Sequence, residues 1–256
     1  MTRPAGSTQR SLRLVCLPGT LCTGEVFAPM LAAHSTRQPT WSAEVVDYGA
    51  ARNAHEAGAL VEQRYGAPEH DIVLVGFSLG GIVAMQAALL LKHRLRALIL
   101  IDVNGEADKP ENAATRRAAV ERAGASSLRA FVTETIWPTH VPASRQHDGA
   151  LRESIVAMAE ACGLEHFANQ AEIAITRPRA IDRLAELSVP TLVLCGTHDT
   201  ITPPALSRAI AAALPRGEMH LIDDAGHFAP LEQPIAMAAA IGPWLERLTN
   251  EDRVSA

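Results

Sequence analysis

The sequence is short of the features that mark most specialised proteins. Its 256 residues hold four cysteines, Cys16, Cys22, Cys162 and Cys195. They are too few and too scattered for a disulfide framework or a zinc site. Cys16 and Cys195 fall within apolar runs, where cysteine acts as a small hydrophobe, and this usage suits a reducing, cytoplasmic setting. No run of like charges occurs, and a formal net charge of −5 offers neither nucleic acid nor an anionic membrane an evident partner. There is no internal repeat and no low-complexity linker. Met1 to Arg13 is polar, with three arginines and no apolar core, unlike a secretory signal, and the stretch before Leu12 is expected to be disordered.

One stretch looks like an exception. Ile72 to Leu91 carries no charge over about the length of a membrane span of ~20 residues. Gly76, Ser78, Gly80 and Gly81 interrupt it, so it divides into an apolar strand and a buried helix, and the chain reads as soluble. With 48% hydrophobic and 20% charged residues, it can bury the core of one large domain, or of a domain plus a cap.

The dividing point carries the chemistry. Gly76-Phe77-Ser78-Leu79-Gly80 is a G-x-S-x-G segment between a β-branched run and a helix of small apolar residues, the strand–turn–helix setting of a nucleophile elbow. A serine lifted clear of a sheet must sit in a strained turn with positive φ. The strand and helix leaving that turn lie almost back to back, so a Cβ at either flanking position would collide with one of them. The helix aims its first amides at the same spot, which makes the Leu79 N–H a natural donor to a developing oxyanion. The alternative is a glycine-rich connection without chemistry.

Elsewhere, strand and helix alternate. Strands are expected over Leu12 to Leu17, Ser42 to Tyr48, Asp71 to Phe77, Arg96 to Val103, Thr191 to Gly196 and Glu218 to Ile222. Helices are expected over His55 to Tyr65, about Ala205 to Leu214 and about Ile235 to Leu248. The strands are continuously apolar rather than alternating, which argues for a mostly parallel sheet covered by helices on both faces. Between Asn104 and Pro190 the alternation stops. Leu128, Phe131, Val132, Thr135 and Ile136 share one helical face. So do Leu151, Ile155, Met158 and Ala159, and then Leu164, Phe167, Ala168 and Ala171. The expected organisation is a core of residues 1–104 and 190–256 with a helical cap over 105–189, inserted at the sheet edge where ligands bind.

A serine nucleophile needs a base, and the base an orienting acid. His227, in Asp223-Asp224-Ala225-Gly226-His227-Phe228, follows a strand and precedes the last helix; an exposed loop histidine is the plainer reading. Asp199, in Gly196-Thr197-His198-Asp199 at the end of a strand, is the expected acid, with Asp102 at the preceding strand end as stand-in. His198 is read as a supporting or surface residue. The loop Pro18-Gly19-Thr20-Leu21-Cys22 should supply the second oxyanion donor, the Thr20 N–H first and Leu21 second. Cys22 lies near this loop, where alkylation could block the pocket.

With these residues assembled, the stretch from Leu12 to Leu248 resembles the α/β-hydrolase superfamily. Val189-Pro190-Thr191-Leu192-Val193-Leu194-Cys195-Gly196 and Gly226-His227-Phe228-Ala229-Pro230-Leu231-Glu232-Gln233-Pro234 make it similar to the small bacterial capped esterases and lactonases. Two departures stand out: the usual His-Gly of the oxyanion loop is Pro18-Gly19, and the opening antiparallel strand pair looks missing or reduced. The resemblance implies an α/β-hydrolase fold and acyl transfer to water, with catalytic Ser78, Asp199 and His227, oxyanion donors Thr20 and Leu79, no metal and no organic cofactor. It implies a small-molecule ester or related carbonyl substrate. A C–C bond hydrolase or enol-lactonase is the alternative on the same residues. A carrier-protein thioesterase or methylesterase would be expected to have a basic lid, whereas residues 105–190 hold ten Lys or Arg against twelve Asp or Glu. A ligand-binding receptor with vestigial turnover fits poorly with an intact Ser, Asp and His.

Overall fold

The structure, a computed structural model, describes residues 12–34, 41–66 and 72–254; the expected disordered start lies outside these. Six strands, β1 (Leu12–Leu17), β2 (Trp41–Val45), β3 (Ile72–Phe77), β4 (Leu95–Ile101), β5 (Thr191–Gly196) and β6 (Gly217–Ile222), form one sheet in the order β2-β1-β3-β4-β5-β6. Every adjacent pair is parallel, so no antiparallel pair opens the sheet among the described residues. All of β3 and β5 is buried, which is why these strands read as unbroken apolar runs. The chain winds outward from β1 to β2, then returns to β3 on the other side of β1. That reversal leaves a crevice beyond the C-terminal ends of β1 and β3, where open α/β sheets bind ligands.

Helices cover both faces. The first of them, α1 (Ala28–His34), packs on one face together with the last helix, bringing Phe27, Met30, Met237, Ile241 and Trp244 onto Leu14, Cys16, Val73, Val75 and Ile99. The sequence reading did not anticipate α1, whose Ala-Pro-Met-Leu-Ala-Ala-His is too short to show a period. The other face takes α2 (Ala54–Tyr65) and α3 (Leu79–Leu91), with Val61, Val83 and Met85 against Val15, Leu74, Leu98 and Val193. α3 is buried on nearly every side, so the charge-free run is a core strand and a core helix. No helix among the described residues is long and apolar enough to cross a membrane.

Between β4 and β5 the chain is helical: α4 (Asn112–Ala125), α5 (Leu128–Phe131), α6 (Trp137–His140) and α7 (Gly149–Ile175). The second and third amphipathic segments expected there belong to one helix, α7, whose path breaks at Gly163 (φ +81°). Asp148 caps α7 by accepting the Leu151 N–H at 2.9 Å. The second half of α7 docks on the loop after β2 and the start of α2: Asn169 Nδ2 donates to Gly49 O at 2.8 Å, and Thr176 Oγ1 accepts from the Ala54 N–H at 3.1 Å. Beyond β5, α8 (Pro204–Ala213), α9 (Ala229–Glu232) and α10 (Pro234–Val254) complete the chain.

β2 ends at Val45, three residues before the expected Tyr48. The Gly49 N–H turns back to Asp47 Oδ1 at 2.8 Å, and the Tyr48 hydroxyl donates to Pro18 O, bending the chain across the end of β1.

Candidate active site

β3 delivers its chain to Ser78 in the strained geometry that the glycines suggest. Ser78 has φ +50° and ψ −115°, and Leu79 already begins α3. A Cβ on Gly76 would lie 2.5 Å from Gly81 Cα, and one on Gly80 would lie 1.9 Å from Leu17 O. The first contact is strand against helix and the second is helix against the end of β1, so both glycines are sterically required. The Ser78 N–H donates to Ile101 O at 2.9 Å, tying the turn to β4.

His227 arrives from the loop after β6. Its Nε2 lies 2.9 Å from Ser78 Oγ, and its Nδ1 lies 2.9 Å from Asp199 Oδ2. An ionised Asp199 can only accept, so Nδ1 carries the proton and Nε2 is left to accept from the serine hydroxyl. The ring's placement comes from its own backbone. The His227 N–H donates to His140 O at 2.8 Å, while the Gly226 and Phe228 N–H groups each donate to the Glu232 carboxyl at 2.9 Å. Glu232 thus grips the chain on both sides of His227, and burial pushes its own carboxyl up against the pull of those two amides.

Asp199 is buried and fully used. Oδ1 accepts the Ile201 and Thr202 N–H groups at 2.8 and 2.9 Å, and Oδ2 accepts the Thr202 hydroxyl at 2.6 Å as well as His227. Burial would raise this carboxyl, but the His227 ring and the Thr202 donors outweigh it and hold the group well below the usual carboxylate range. Asp102 has a different task. It is wholly buried at φ +48°, and its Oδ1 accepts the Gly196 N–H at 2.9 Å. Burial, then the nearby Asp199 charge, push its carboxyl well above the ordinary range. It stitches the end of β4 to β5 and makes no bond to the imidazole. His198 is exposed.

In the loop after β1, Thr20 and Leu21 differ in how their amides are used. The Leu21 N–H is committed to Gln170 Oε1 on α7 at 2.9 Å. The amides of Thr20 and Leu79 have no partner among the described residues, and both residues line the cavity that holds Ser78 and His227. Gly19 permits the approach: a Cβ there would lie 2.9 Å from the Phe77 ring. Cys22 is near this loop, as expected, but faces away from Ser78. It lines a neighbouring cavity with Cys162, its thiol donates to Thr20 O at 3.3 Å, and burial holds its pKa far above the usual thiol range.

The cavity over Ser78 has a volume of about 380 Å³, within the range of small-molecule sites. Phe77 and Ile82 from the sheet side, and Phe131, Ile155 and Phe167 from the helices between β4 and β5, supply its apolar wall. His140 was missed in the sequence. Its ring centroid lies 5.3 Å from that of His227, and burial, reinforced by His227, lowers its pKa to about 3. Gln170 was missed as well. Neither belongs to a spacing motif; only the fold brings them to the site.

Residues 7–240 match the alpha/beta hydrolase family. Among curated proteins, the chain is 27% identical over 93% of its length to the polyketide synthase ThaQ of Burkholderia thailandensis, and spans only 12% of that synthase. It is 28% identical to the pimeloyl-[acyl-carrier protein] methyl ester esterase of Xanthomonas campestris pv. campestris, covering 84% of this chain and 87% of that one. Among solved structures, a thermophilic esterase from Thermogutta terrifontis superposes with a TM-score of 0.81 at 28% identity, covering 94% of this chain and 92% of the other.

Proposed function

Because the chain belongs to the alpha/beta hydrolase family, we propose that it is a serine hydrolase cleaving a small-molecule carboxylic ester through an acyl-enzyme. The observation that carries this reading is the continuous chain Ser78 Oγ to His227 Nε2 to Asp199, each link 2.9 Å, opening into a cavity with two free amides. His227 takes the Ser78 proton as Oγ attacks the carbonyl carbon, and Asp199 stabilises the imidazolium that forms. The Thr20 and Leu79 amides hold the tetrahedral oxyanion, aided by the N-terminal dipole of α3. The imidazolium then protonates the departing alcohol. A water deprotonated by His227 attacks the acyl-enzyme and releases the acid. These steps use three side chains, two amides and water.

Residues 105–189 act as the cap in this reading, because Phe131, Val132, Ile136, Ile155 and Phe167 close the cavity over Ser78. Ester rather than C–C bond cleavage is favoured by the similarity to two esterases across most of the chain. The test is a rate comparison across p-nitrophenyl esters of graded length, lactones and vinylogous 1,5-diketones. Esters should be turned over fastest. Preferential cleavage of the diketones, with esters left intact, would overturn the ester assignment while leaving the triad in place.

A further inference from the structure

The cavity over Ser78 has an electrostatic character that the chain as a whole lacks. Its lining includes Arg116, Arg122 and Arg177 and no aspartate or glutamate, in a protein whose formal net charge is −5. The cap region is itself slightly acidic, so these cations are selectively turned inward.

Their pairing leaves charge over. Arg177, just past α7, has a side chain only 8% exposed. It donates to Glu106 O at 2.9 Å and Ala174 O at 3.2 Å, and pairs with Asp108 at 3.0 Å. Asp108 is also the partner of Arg116, whose Nε and Nη2 reach its two oxygens at 2.7 and 3.1 Å. One carboxylate therefore serves two guanidinium groups. Arg122 has no acidic partner among the described residues; its guanidinium lies 5.9 Å from the centre of the Phe131 ring. It shares a face of α4 with Thr115 and Ala119, both on the cavity wall. Burial depresses the pKa of Arg177; the Asp108 charge opposes this and the neighbouring Arg116 adds to it. Here three cations face one anion, around a wall that is otherwise largely apolar.

We propose that the substrate carries a carboxylate at the end of an apolar chain, bound by Arg122 and Arg177 while its ester carbonyl lies at Ser78: a half-ester of a dicarboxylic acid. This deepens the hydrolase reading and rests on it. Arg116 and Asp108 hold Arg177 in place, and Phe131, Ile155 and Phe167 accommodate the methylene chain. A neutral ester of equal length leaves the excess charge unmatched in a partly dehydrated cavity, which is a strong source of discrimination.

The test compares kcat/KM for p-nitrophenyl adipate half-ester with that for the neutral p-nitrophenyl hexanoate, on the full chain. The half-ester is expected to be preferred by about tenfold or more, in line with a charge-assisted hydrogen bond, and 0.5 M sodium chloride should narrow the gap. Arg122→Gln, at an exposed position with no ion pair to lose, should lower the ratio about fivefold or more. Arg117→Gln, outside the cavity, should leave the ratio unchanged. Equal rates on the two esters in the wild type, or a ratio unaffected by Arg122→Gln, overturn the inference while the hydrolase reading stands. If neither ester is turned over, the ester-hydrolase reading falls, and calorimetric titration with adipate decides the anion site. Binding weakened in Arg122→Gln supports it, and no binding overturns it.

Discussion

Gln170 and Leu21, 149 positions apart, meet through a single hydrogen bond in which the Leu21 N–H donates to the amide oxygen of Gln170 at 2.9 Å. Leu21 sits at φ +54° and Gln170 is buried, so a strained turn after β1 is held in shape by a side chain of the helical insertion. In the proposed mechanism that turn carries the Thr20 amide, so helix α7 would position one of the two proposed oxyanion donors.

Gln170→Met should therefore remove the acceptor, leave a buried N–H unpaired and loosen the turn. The expected outcome is a kcat lower by about 10- to 100-fold, less than the loss of an oxyanion donor outright, with KM changed much less. Gln170→Glu keeps an acceptor at the same place and should recover most of the rate. Steady-state kinetics of both variants against one ester check this. Equal losses in the two would mean that Gln170 contributes packing alone.

Asp199 and Asp102 are separated by an isosteric test. Asp199→Asn should cut kcat by about 10³ to 10⁴ with KM little changed, since it removes the anion that sets the imidazole's tautomer. Asp102→Asn should cost about tenfold or less, because that side chain braces Gly196 and does not meet His227. A crippled Asp102→Asn beside an active Asp199→Asn would move the acid to the earlier strand.

Stability should show the same carboxylate. The Asp199 carboxyl titrates below its unfolded value in the folded protein, as the His227 ring and Thr202 donors outweigh burial. Its contribution is therefore complete above the unfolded pKa of about 4 and is lost as pH falls through the folded value. The difference in unfolding free energy between wild type and Asp199→Asn should be constant from pH 7 to 5 and shrink below about pH 4. Urea titrations across that range measure it, and a difference that does not narrow in acid would contradict the assignment.

The acid limb of the activity profile should involve one proton. His140 lies against His227 but stays uncharged until about pH 3, so only His227 protonation should switch off the base. In log kcat/KM against pH, the acid limb should have unit slope in the wild type and in His140→Phe. A slope approaching two would show that both rings titrate together.

The legible part of the site was the part set by local sterics and chain order. Gly76 and Gly80 announce the elbow because no side chain fits where strand, helix and β1 converge. His227 and Asp199 follow strands at the places where the chain leaves the sheet. The buried strands β3 and β5 announce themselves by unbroken apolar runs. What the sequence left hidden depends on long-range docking. Gln170 sits in α7 among alanines with nothing to mark it, and meets Leu21 only because α7 bends at Gly163 and returns to the loop after β1. The pairing of Arg116 and Arg177 on Asp108 spans 8 positions on one side and the whole insertion on the other. α4 escaped notice because only Ala123 of its fourteen residues is buried, so its sequence has no apolar period. The short reach of β2 is set by the Tyr48 hydroxyl on Pro18, a contact between separate segments.

The most direct measurement of the central claim is active-site labelling with a fluorophosphonate, which captures only an activated nucleophile. Mass spectrometry of the labelled chain should find one adduct, on Ser78, and none in Ser78→Ala. Hydrolysis by that variant should fall by about 10⁴-fold or more while its fold is kept. An adduct on another residue, or unchanged labelling and turnover in Ser78→Ala, would contradict the account.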